Sequence, residues 1–206
     1  MGMRPQTAGT VTLNGHDVSR LDPRGMRQMG VSWIPDDRLR TGLSAKATVT
    51  ENLLVGKQRR PEFSRFGIHY RARNAKKYAE GLAQNFDIRA GGLNVPAGSL
   101  SGGNMQKAIL AREFSFESPV LVVSQPTRGV DIGAIEFIHE KILEKRNAGC
   151  AILLVSADLD ELFRLSDRLL TLYEGRITGE FQTGEIDKQA IGYYMTGGRQ
   201  KGAGEA

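Results

Sequence analysis

The sequence has little of what marks a secreted, membrane-spanning or metal-binding protein. Its single cysteine, Cys150, cannot form an internal disulfide, and its three histidines are too scattered to match metal-ligand spacing. The longest apolar runs, such as residues 120–123 and Ala151–Val155, are far shorter than the ~20 residues of a spanning helix. The first nine residues contain no apolar core of a secretory signal. We therefore expect no internal disulfide and no bound metal, and we expect Cys150 to be a small buried residue. The sequence is compatible with the cytoplasm.

What the chain does contain is an ordinary globular composition with one strongly basic segment. Its 206 residues are 40% hydrophobic and 25% charged, which suffices for one buried core or a core with a small subdomain. The net charge is +5, and basic residues concentrate in residues 57–77, which include Arg59, Arg60, Arg65, Arg71, Arg73 and Lys76. A nucleic-acid surface, or a solvated helical face near anionic lipid headgroups, would carry such a charge. The interleaved aromatics Phe63, Phe66 and Tyr70 are few and match no nucleic-acid module, so we expect no nucleic-acid partner.

Hydrophobic periodicity predicts alternating strands and helices over most of the chain. Apolar strands are predicted at residues 120–123 and 151–156, and a strand stopped by proline at residues 30–35. Because these strands alternate with helices, they favour an α/β fold whose parallel sheet is covered on both faces. The remaining predicted elements are a strand over residues 9–15 with an Asn14-Gly15 turn, helices over 23–29, 50–55, 71–86 (ended by Gly91 and Gly92), 101–116, 132–146 and 158–165, strands over 168–173 and 176–181 around a Glu174-Gly175 turn, and a disordered tail over 197–206.

Residues 100–104 (LSGGN) are the strongest sign of chemistry in the sequence. Ser101 is a favourable N-cap for the apolar helix that follows, since its hydroxyl accepts hydrogen bonds from first-turn amides. Gly102 and Gly103, just before Asn104, leave backbone amides open to an anion, and the helix dipole adds to the attraction. The turn therefore suits the terminal phosphate of a nucleotide. A plain capped helix start is the alternative, but two glycines in the first turn cost about 1 kcal/mol each against alanine.

Four segments of the chain carry a resemblance to one protein family. They are WIPDDR (residues 33–38), LSGGNMQK (100–107), VLVVSQPTRGVD (120–131) and SADLDEL (156–162). Together they resemble the Q-loop, the signature, the Walker B and D-loop segment, and the switch-histidine segment of ABC transporter ATPases. The form is the one common among simple-sugar and nucleoside importers, and the resemblance extends over about residues 2–197.

The resemblance implies a P-loop NTPase core of the ABC ATPase type, with a parallel sheet and an α-helical signature subdomain. Residues 1–46 and 117–196 would form the ATPase core, and residues 47–116 the helical subdomain. Roles for single residues are implied as well: Ser101, Gly102, Gly103 and Asn104 would contact ATP held by a partner domain, Asp131 would be the D-loop carboxylate, and Asp36 would stand at the Q-loop.

The chain departs from the family pattern at three positions and in one whole motif. Ser124 and Gln125 stand where the family has the Asp that helps hold Mg²⁺ and the Glu that polarises water, and Ala157 replaces the switch histidine. A hydroxyl and an amide carry no negative charge and take no proton from water. The phosphate-binding motif G-x-x-x-x-G-K-[ST] is absent from the 206 residues. We therefore expect a truncation upstream of Met1 that removes central parts of the sheet and leaves an exposed apolar flank.

These features together predict a degenerate ATPase domain, the second (C-terminal) of two linked domains. It would donate its signature to a site built on a second ABC ATPase domain, the N-terminal half of the same protein, and would not hydrolyse ATP alone. ATP and Mg²⁺ would be cofactors of the complete assembly. The resemblance further implies transmembrane permease subunits as partners, a periplasmic or lipoprotein substrate-binding protein as an indirect partner, and a place at the cytoplasmic face of the cell membrane. A non-transport regulatory or pairing module is the alternative, whereas an autonomous hydrolase is disfavoured because the sequence shows no Ser/His/Asp set.

Overall fold

The computed structural model describes residues 2–4, 6–66 and 68–198 of the chain. The chain forms two compact units, Met1–Val155 and Ser156–Ala206. The boundaries of the ATPase core and helical subdomain expected from the resemblance, at residues 46/47 and 116/117, remain a prediction. Most of the tail predicted to be disordered, residues 199–206, lies outside the described residues.

The first unit combines an N-terminal hairpin, a parallel sheet and a group of helices. Its strands are β1 (Thr12–Leu13), β2 (His16–Asp17), β3 (Val31–Ile34), β4 (Ser64–Arg65), β5 (His69–Tyr70), β6 (Val120–Ser124) and β7 (Ala151–Val155). Its helices are α1 (Pro23–Gln28), α2 (Val49–Leu54), α3 (Ala72–Asn85), α4 (Gly102–Phe114) and α5 (Ile132–Asn147), with a π-helical turn at Arg38–Gly42 and a 3-10 turn at Ala97–Ser99. The predicted Asn14-Gly15 turn joins β1 and β2, and both of its residues adopt the left-handed φ that such a turn requires.

Strands β3, β6 and β7 form a parallel sheet in that order, which confirms the predicted α/β class. Val31 of β3 lies opposite Val120 of β6, and Val120 in turn lies opposite Ala151 of β7. Helices α1 and α4 contact β3. The side chains of β3 and β6 are therefore buried or half-buried, as in a sheet covered by helices.

Strand β7 departs from the full coverage predicted for the sheet. Its side chains alternate between exposed and half-buried, and Leu153 and Val155 are 57% and 51% exposed. Among the strands that the structure describes, β7 has only β6 as a neighbour, so its other edge is unpaired. The exposed apolar flank predicted from the sequence is present along this strand.

Helix α4 lies at the centre of the first unit's core. It begins directly after Ser101 and ends at Phe114, two residues before its predicted end. Ile109 and Leu110 are fully buried, and the helix contacts α2, α3, α5 and β3. Since α4 is packed on several sides at once, the position of its first turn is set by the core and not by a flexible loop.

The basic segment of residues 57–77 differs from the helical face that the sequence indicated. It consists of turns, the antiparallel β4–β5 hairpin, in which Arg65 lies opposite His69, and only the first residues of α3. Two-residue strands are too short to show a period of two, which explains why the hairpin was not predicted.

Helix α3 also ends differently from the prediction. It ends at Asn85, and Asp87, with a φ of 46°, takes the left-handed position that Gly91 or Gly92 was expected to provide. The amide of Ile88 then donates to the carbonyl of Ala83 at 2.8 Å, which is the closing bond of a Schellman motif.

The second unit is an antiparallel hairpin with two helices. Its elements are α6 (Leu159–Leu165), β8 (Arg168–Tyr173), β9 (Arg176–Gln182) and α7 (Lys188–Met195). The predicted Glu174-Gly175 turn joins β8 and β9. Helix α7 was not predicted; Asp187 caps its first turn, and its Tyr194 ring lies 4.9 Å from the ring of Phe181 in β9.

Candidate functional site

The glycine turn at the start of α4 has the geometry that its sequence predicted. Ser101 is the N-cap in extended conformation, and its Oγ accepts from the Asn104 amide at 3.4 Å and from Asn104 Nδ2 at 2.9 Å. Asn104 Oδ1 in turn accepts from the backbone amide of Arg89 at 2.7 Å. Ser101 is exposed, so its capping role leaves the turn open to an approaching ligand.

The two glycines of the turn are also needed for close packing inside the chain. A Cβ at Gly102 would lie 3.0 Å from Arg38 Nη1 and 3.1 Å from the Gly129 carbonyl oxygen. A Cβ at Gly103 would lie 3.0 Å from Asp131 Oδ2. The structure therefore adds a second reason for glycine here, since larger residues would displace the segment that follows β6.

Arg38 connects the glycine turn to the segment that follows β6. Its Nη1 donates to the Gly102 carbonyl at 2.8 Å, and its Nη2 donates to the Arg128 carbonyl. Burial lowers the pKa of Arg38, and the charge of Arg128 lowers it further. Sequence reasoning missed this residue, although it is the last letter of the WIPDDR segment, because its partners are 64 and 90 residues away.

Two neighbouring aspartates after β3 are both exposed but differ in their hydrogen bonds. Asp36 is the residue predicted to stand at the Q-loop. Asp37 instead caps the π-helical turn, where its Oδ1 accepts from the amides of Leu39 and Arg40 at 3.1 and 2.9 Å. The local structural role thus belongs to Asp37, and the role of Asp36 remains a prediction.

Asp131 lies beside the glycine turn as the N-cap of α5. Its Oδ1 accepts from the Ala134 amide at 2.9 Å, while Oδ2 points toward Gly103. The structure therefore brings Arg38, Asp131 and the Ser101 turn together in one region of the first unit.

The end of β6 carries no carboxylate. Ser124 is its last residue and lies opposite Val155. Gln125 follows with a φ of 48°, and its backbone N–H donates to the Val155 carbonyl at 2.8 Å. Mg²⁺ prefers anionic oxygen ligands, so a hydroxyl and an amide at these two positions do not fit that ion. Ala157 belongs to the second unit, where it is an exposed residue before α6.

The single cysteine lies just before a strand, as predicted, but it is half-buried where a buried residue was expected. Cys150 is half-buried before β7, and its Sγ donates to the Ser118 carbonyl at 3.3 Å. Burial raises the pKa of the thiol, which disfavours the reactive thiolate.

Comparison with known proteins identifies the family. A family model described as ABC transporter matches residues 1–128. The chain is 40% identical over 205 residues to the guanosine import ATP-binding protein NupO of Bacillus subtilis, covering 100% of this chain and 40% of NupO. It is 39% identical over 198 residues to the nucleoside import ATP-binding protein NupA of Lactococcus lactis, covering 96% of this chain and 39% of NupA. For the glucose import ATP-binding protein TsgD13 of Haloferax volcanii the identity is 42% over 199 residues, covering 96% of this chain and 36% of TsgD13.

The chain spans about two-fifths of the length of these curated relatives, as the 40% coverage of NupO shows. Solved structures share its fold. A dimeric post-hydrolysis ATP-binding cassette bound to ADP and Pi superposes with a TM-score of 0.68 at 19% identity, over 87% of this chain and 75% of that one. A nucleotide-free ATP-binding cassette from an ABC transporter gives a TM-score of 0.68 at 22% identity, over 88% of this chain and 72% of that one.

In the described part of the chain, no helix combines the length and apolarity needed to cross a membrane. Since the family model covers more than half of the sequence and the fold agrees with it, the chain belongs to the ABC transporter family.

Proposed function

We propose that this chain is a nucleotide-binding domain of an ABC importer and that it supplies its glycine turn, residues 101–104, to ATP held by a second ATPase domain. The observation that carries the proposal is a contrast within the first unit. The turn at the start of α4 is capped and held in place, whereas the end of β6 has Ser124 and Gln125 where metal binding and water activation would need carboxylates.

The glycine turn is suited to a phosphate approaching from outside the chain. The amides of Gly102 and Gly103 are in the first turn of α4, where the helix itself provides no acceptor. The guanidinium of Arg38 and the exposed Arg128 add positive charge beside the turn. Ser101 is exposed, Gly102 is half-buried and Gly103 is buried, so a triphosphate presented by another domain would meet the Ser101 hydroxyl, the Gly102 amide and positive charge together.

Hydrolysis by the isolated chain lacks support on three counts. The 206 residues contain no phosphate-binding motif of the G-x-x-x-x-G-K-[ST] kind, and neither Ser124 nor Gln125 is able to act as a general base. Mg²⁺ and productive ATP binding would then belong to the complete assembly. The replacement of the switch histidine by Ala157 points the same way.

The names and lengths of the relatives support the rest of the proposed assembly. NupO and NupA are named for guanosine and nucleoside import, and TsgD13 for glucose import, so nucleosides or simple sugars are the proposed cargo. The chain covers 40% of NupO, which is consistent with a second, similar domain elsewhere in the same protein. Permease subunits, an indirectly associated substrate-binding protein and a position at the cytoplasmic face of the membrane complete the proposal.

The tandem protein is the proposed full-length protein, in which this chain is linked to a second ATPase domain. Two substitutions in it test the role of the turn. Ser101→Arg places a bulky cation in the turn and is expected to lower Mg-ATPase activity and cargo uptake by about a hundredfold. A loss of this size is typical when an enzyme loses one hydrogen-bond donor positioned for its transition state. Gln125→Ala serves as the matched change in the domain's own degenerate site and should leave both rates near wild type. The reverse pattern would refute donation in trans. ATPase activity that depends on Ser101, without any cargo uptake, would instead favour a regulatory pairing module.

A further inference from the structure

The basic segment of residues 57–77 accounts for all of the chain's net positive charge. It holds eight of the 28 Lys and Arg residues but only one of the 23 Asp and Glu residues, which leaves the other 185 residues with a net charge of −2. Lys57 is buried and donates to Tyr78 Oη at 2.6 Å, but the other seven basic side chains are exposed. None of the segment's five arginines forms a salt bridge with a described residue, and Lys76 has only a 3.8 Å pair with Glu80.

The β4–β5 hairpin, in the middle of this segment, exposes two large apolar side chains to solvent. Phe66 and Ile68 are each 81% exposed, and Tyr70 is 55% exposed. The Arg65 guanidinium lies 5.3 Å from the centre of the Phe66 ring, so cation and aromatic face share the same surface. We call Arg65, Phe66, Ile68, Tyr70 and Arg71 the hairpin surface.

The base of the hairpin is firmly anchored, so the exposure of its tip is not a sign of local unfolding. Phe63 is 6% exposed and its ring lies 4.9 Å from that of Tyr78. The Arg71 amide donates to the Phe63 carbonyl at 2.8 Å, and Asn74 Nδ2 donates to the Glu62 carbonyl at 2.8 Å. Phe63 is thus buried, whereas Phe66, three residues later, is exposed to solvent.

We propose that the hairpin surface binds directly to an anionic phospholipid membrane, with Phe66 and Ile68 inserted at the headgroup level and the surrounding arginines on lipid phosphates. Apolar tips flanked by Arg and Lys are the chemistry of interfacial membrane binding. A polynucleotide fits less well, because single-stranded nucleic acid is held by rows of stacked aromatics, and aliphatic Ile68 offers no stacking face. The contact would be separate from the nucleotide-facing turn and does not rest on the function proposed for it.

Vesicle flotation with the purified 206-residue chain tests the proposal. The chain should float with vesicles of equimolar phosphatidylglycerol and phosphatidylcholine at low salt. It should stay in solution with phosphatidylcholine alone or at high salt, since attraction to anionic headgroups is screened. Failure to float with the anionic vesicles would overturn the proposal.

Apolar variants separate insertion from charge attraction. Phe66→Asn combined with Ile68→Thr should lower the partition coefficient about tenfold or more, because two apolar side chains no longer enter the interface. Asparagine tolerates the φ of 56° at position 66, and circular dichroism should confirm an unchanged fold. Leu172→Ser, at a residue 64% exposed in the second unit, is the control and should bind like wild type. Unchanged binding of the double variant would overturn the proposal.

Charge variants locate the electrostatic part. Replacing Arg65, Arg71 and Arg73 by Gln should weaken binding about a hundredfold, at roughly a factor of five for each charge near the surface. The same change at three exposed arginines elsewhere, Arg24, Arg164 and Arg176, should have a much smaller effect. Equal losses in the two triple variants would contradict a localised surface, as would tight binding of a single-stranded oligonucleotide through the same residues without vesicle binding.

Discussion

Replacing Glu113 by Gln removes one negative charge from the packing of α4 against β3. The side chain is 1% exposed, and its Oε2 accepts from Arg27 Nη2 at 2.9 Å and from the Trp33 amide at 3.2 Å. Its Oε1 accepts from Arg112 Nε at 2.8 Å, and Arg112 is itself 9% exposed. Neutralising this carboxylate leaves a buried guanidinium without its anion, which costs about 3–5 kcal/mol.

Urea unfolding at neutral pH, followed by tryptophan fluorescence, measures this effect. Trp33 is the only tryptophan of the chain and its amide bonds to Glu113, so the signal reports on the first unit. Arg27→Met should cost less than Glu113→Gln because Arg27 is 33% exposed and water replaces part of the lost attraction.

The exposed Glu140 on α5 provides the matched control, and Glu140→Gln should change stability by no more than about 0.5 kcal/mol. A loss for Glu113→Gln as small as that of the control would refute the view that this ionic cluster fixes α4, and with it the glycine turn, on the sheet.

Three further outcomes are expected for the isolated chain. Thr48→Ala removes the hydroxyl oxygen that accepts from the Glu51 amide at 3.2 Å in the capping box of α2, so the free energy of unfolding should fall by about 1 kcal/mol in urea, and no change would contradict the cap. Hydrogen bonds from Lys107, then Arg89, lower the pKa of Asp87. The wild-type chain should therefore be more stable than Asp87→Asn at neutral pH and should lose that advantage as the pH falls below about 3.9. A stability difference that does not change with pH would argue against these bonds. Millimolar Mg-ATP should not raise the melting temperature, and a rise of several degrees would reveal a nucleotide pocket within the chain.

Features set by near neighbours in the chain were predictable from the sequence. The Ser101 cap and the Asn14-Gly15 and Glu174-Gly175 turns depend on residues within about one helical or β-turn, and all three are present. The parallel pairing of the apolar strands was predictable from their alternation with helices, whereas the order β3, β6, β7 was not predicted.

Features made by residues distant in the chain were not predictable in this way. Arg38 bonds to carbonyls 64 and 90 residues away, and Arg27 reaches Glu113 across 86 residues. Periodicity carries no information on such pairs. The sequence also predicted a glycine end for α3 where Asp87 takes the left-handed position, because a side chain that tolerates this conformation competes with glycine for the role.

The most direct test of donation in trans is to locate the terminal phosphate of bound ATP. An ATP analogue with a photoreactive group on its γ-phosphate is bound to the tandem protein and illuminated, and the labelled peptides are identified by mass spectrometry. We predict labelling of residues 101–104 in the tandem protein and none in the isolated 206-residue chain. Labelling at Ser124 or Gln125, or labelling of the isolated chain, would contradict the account.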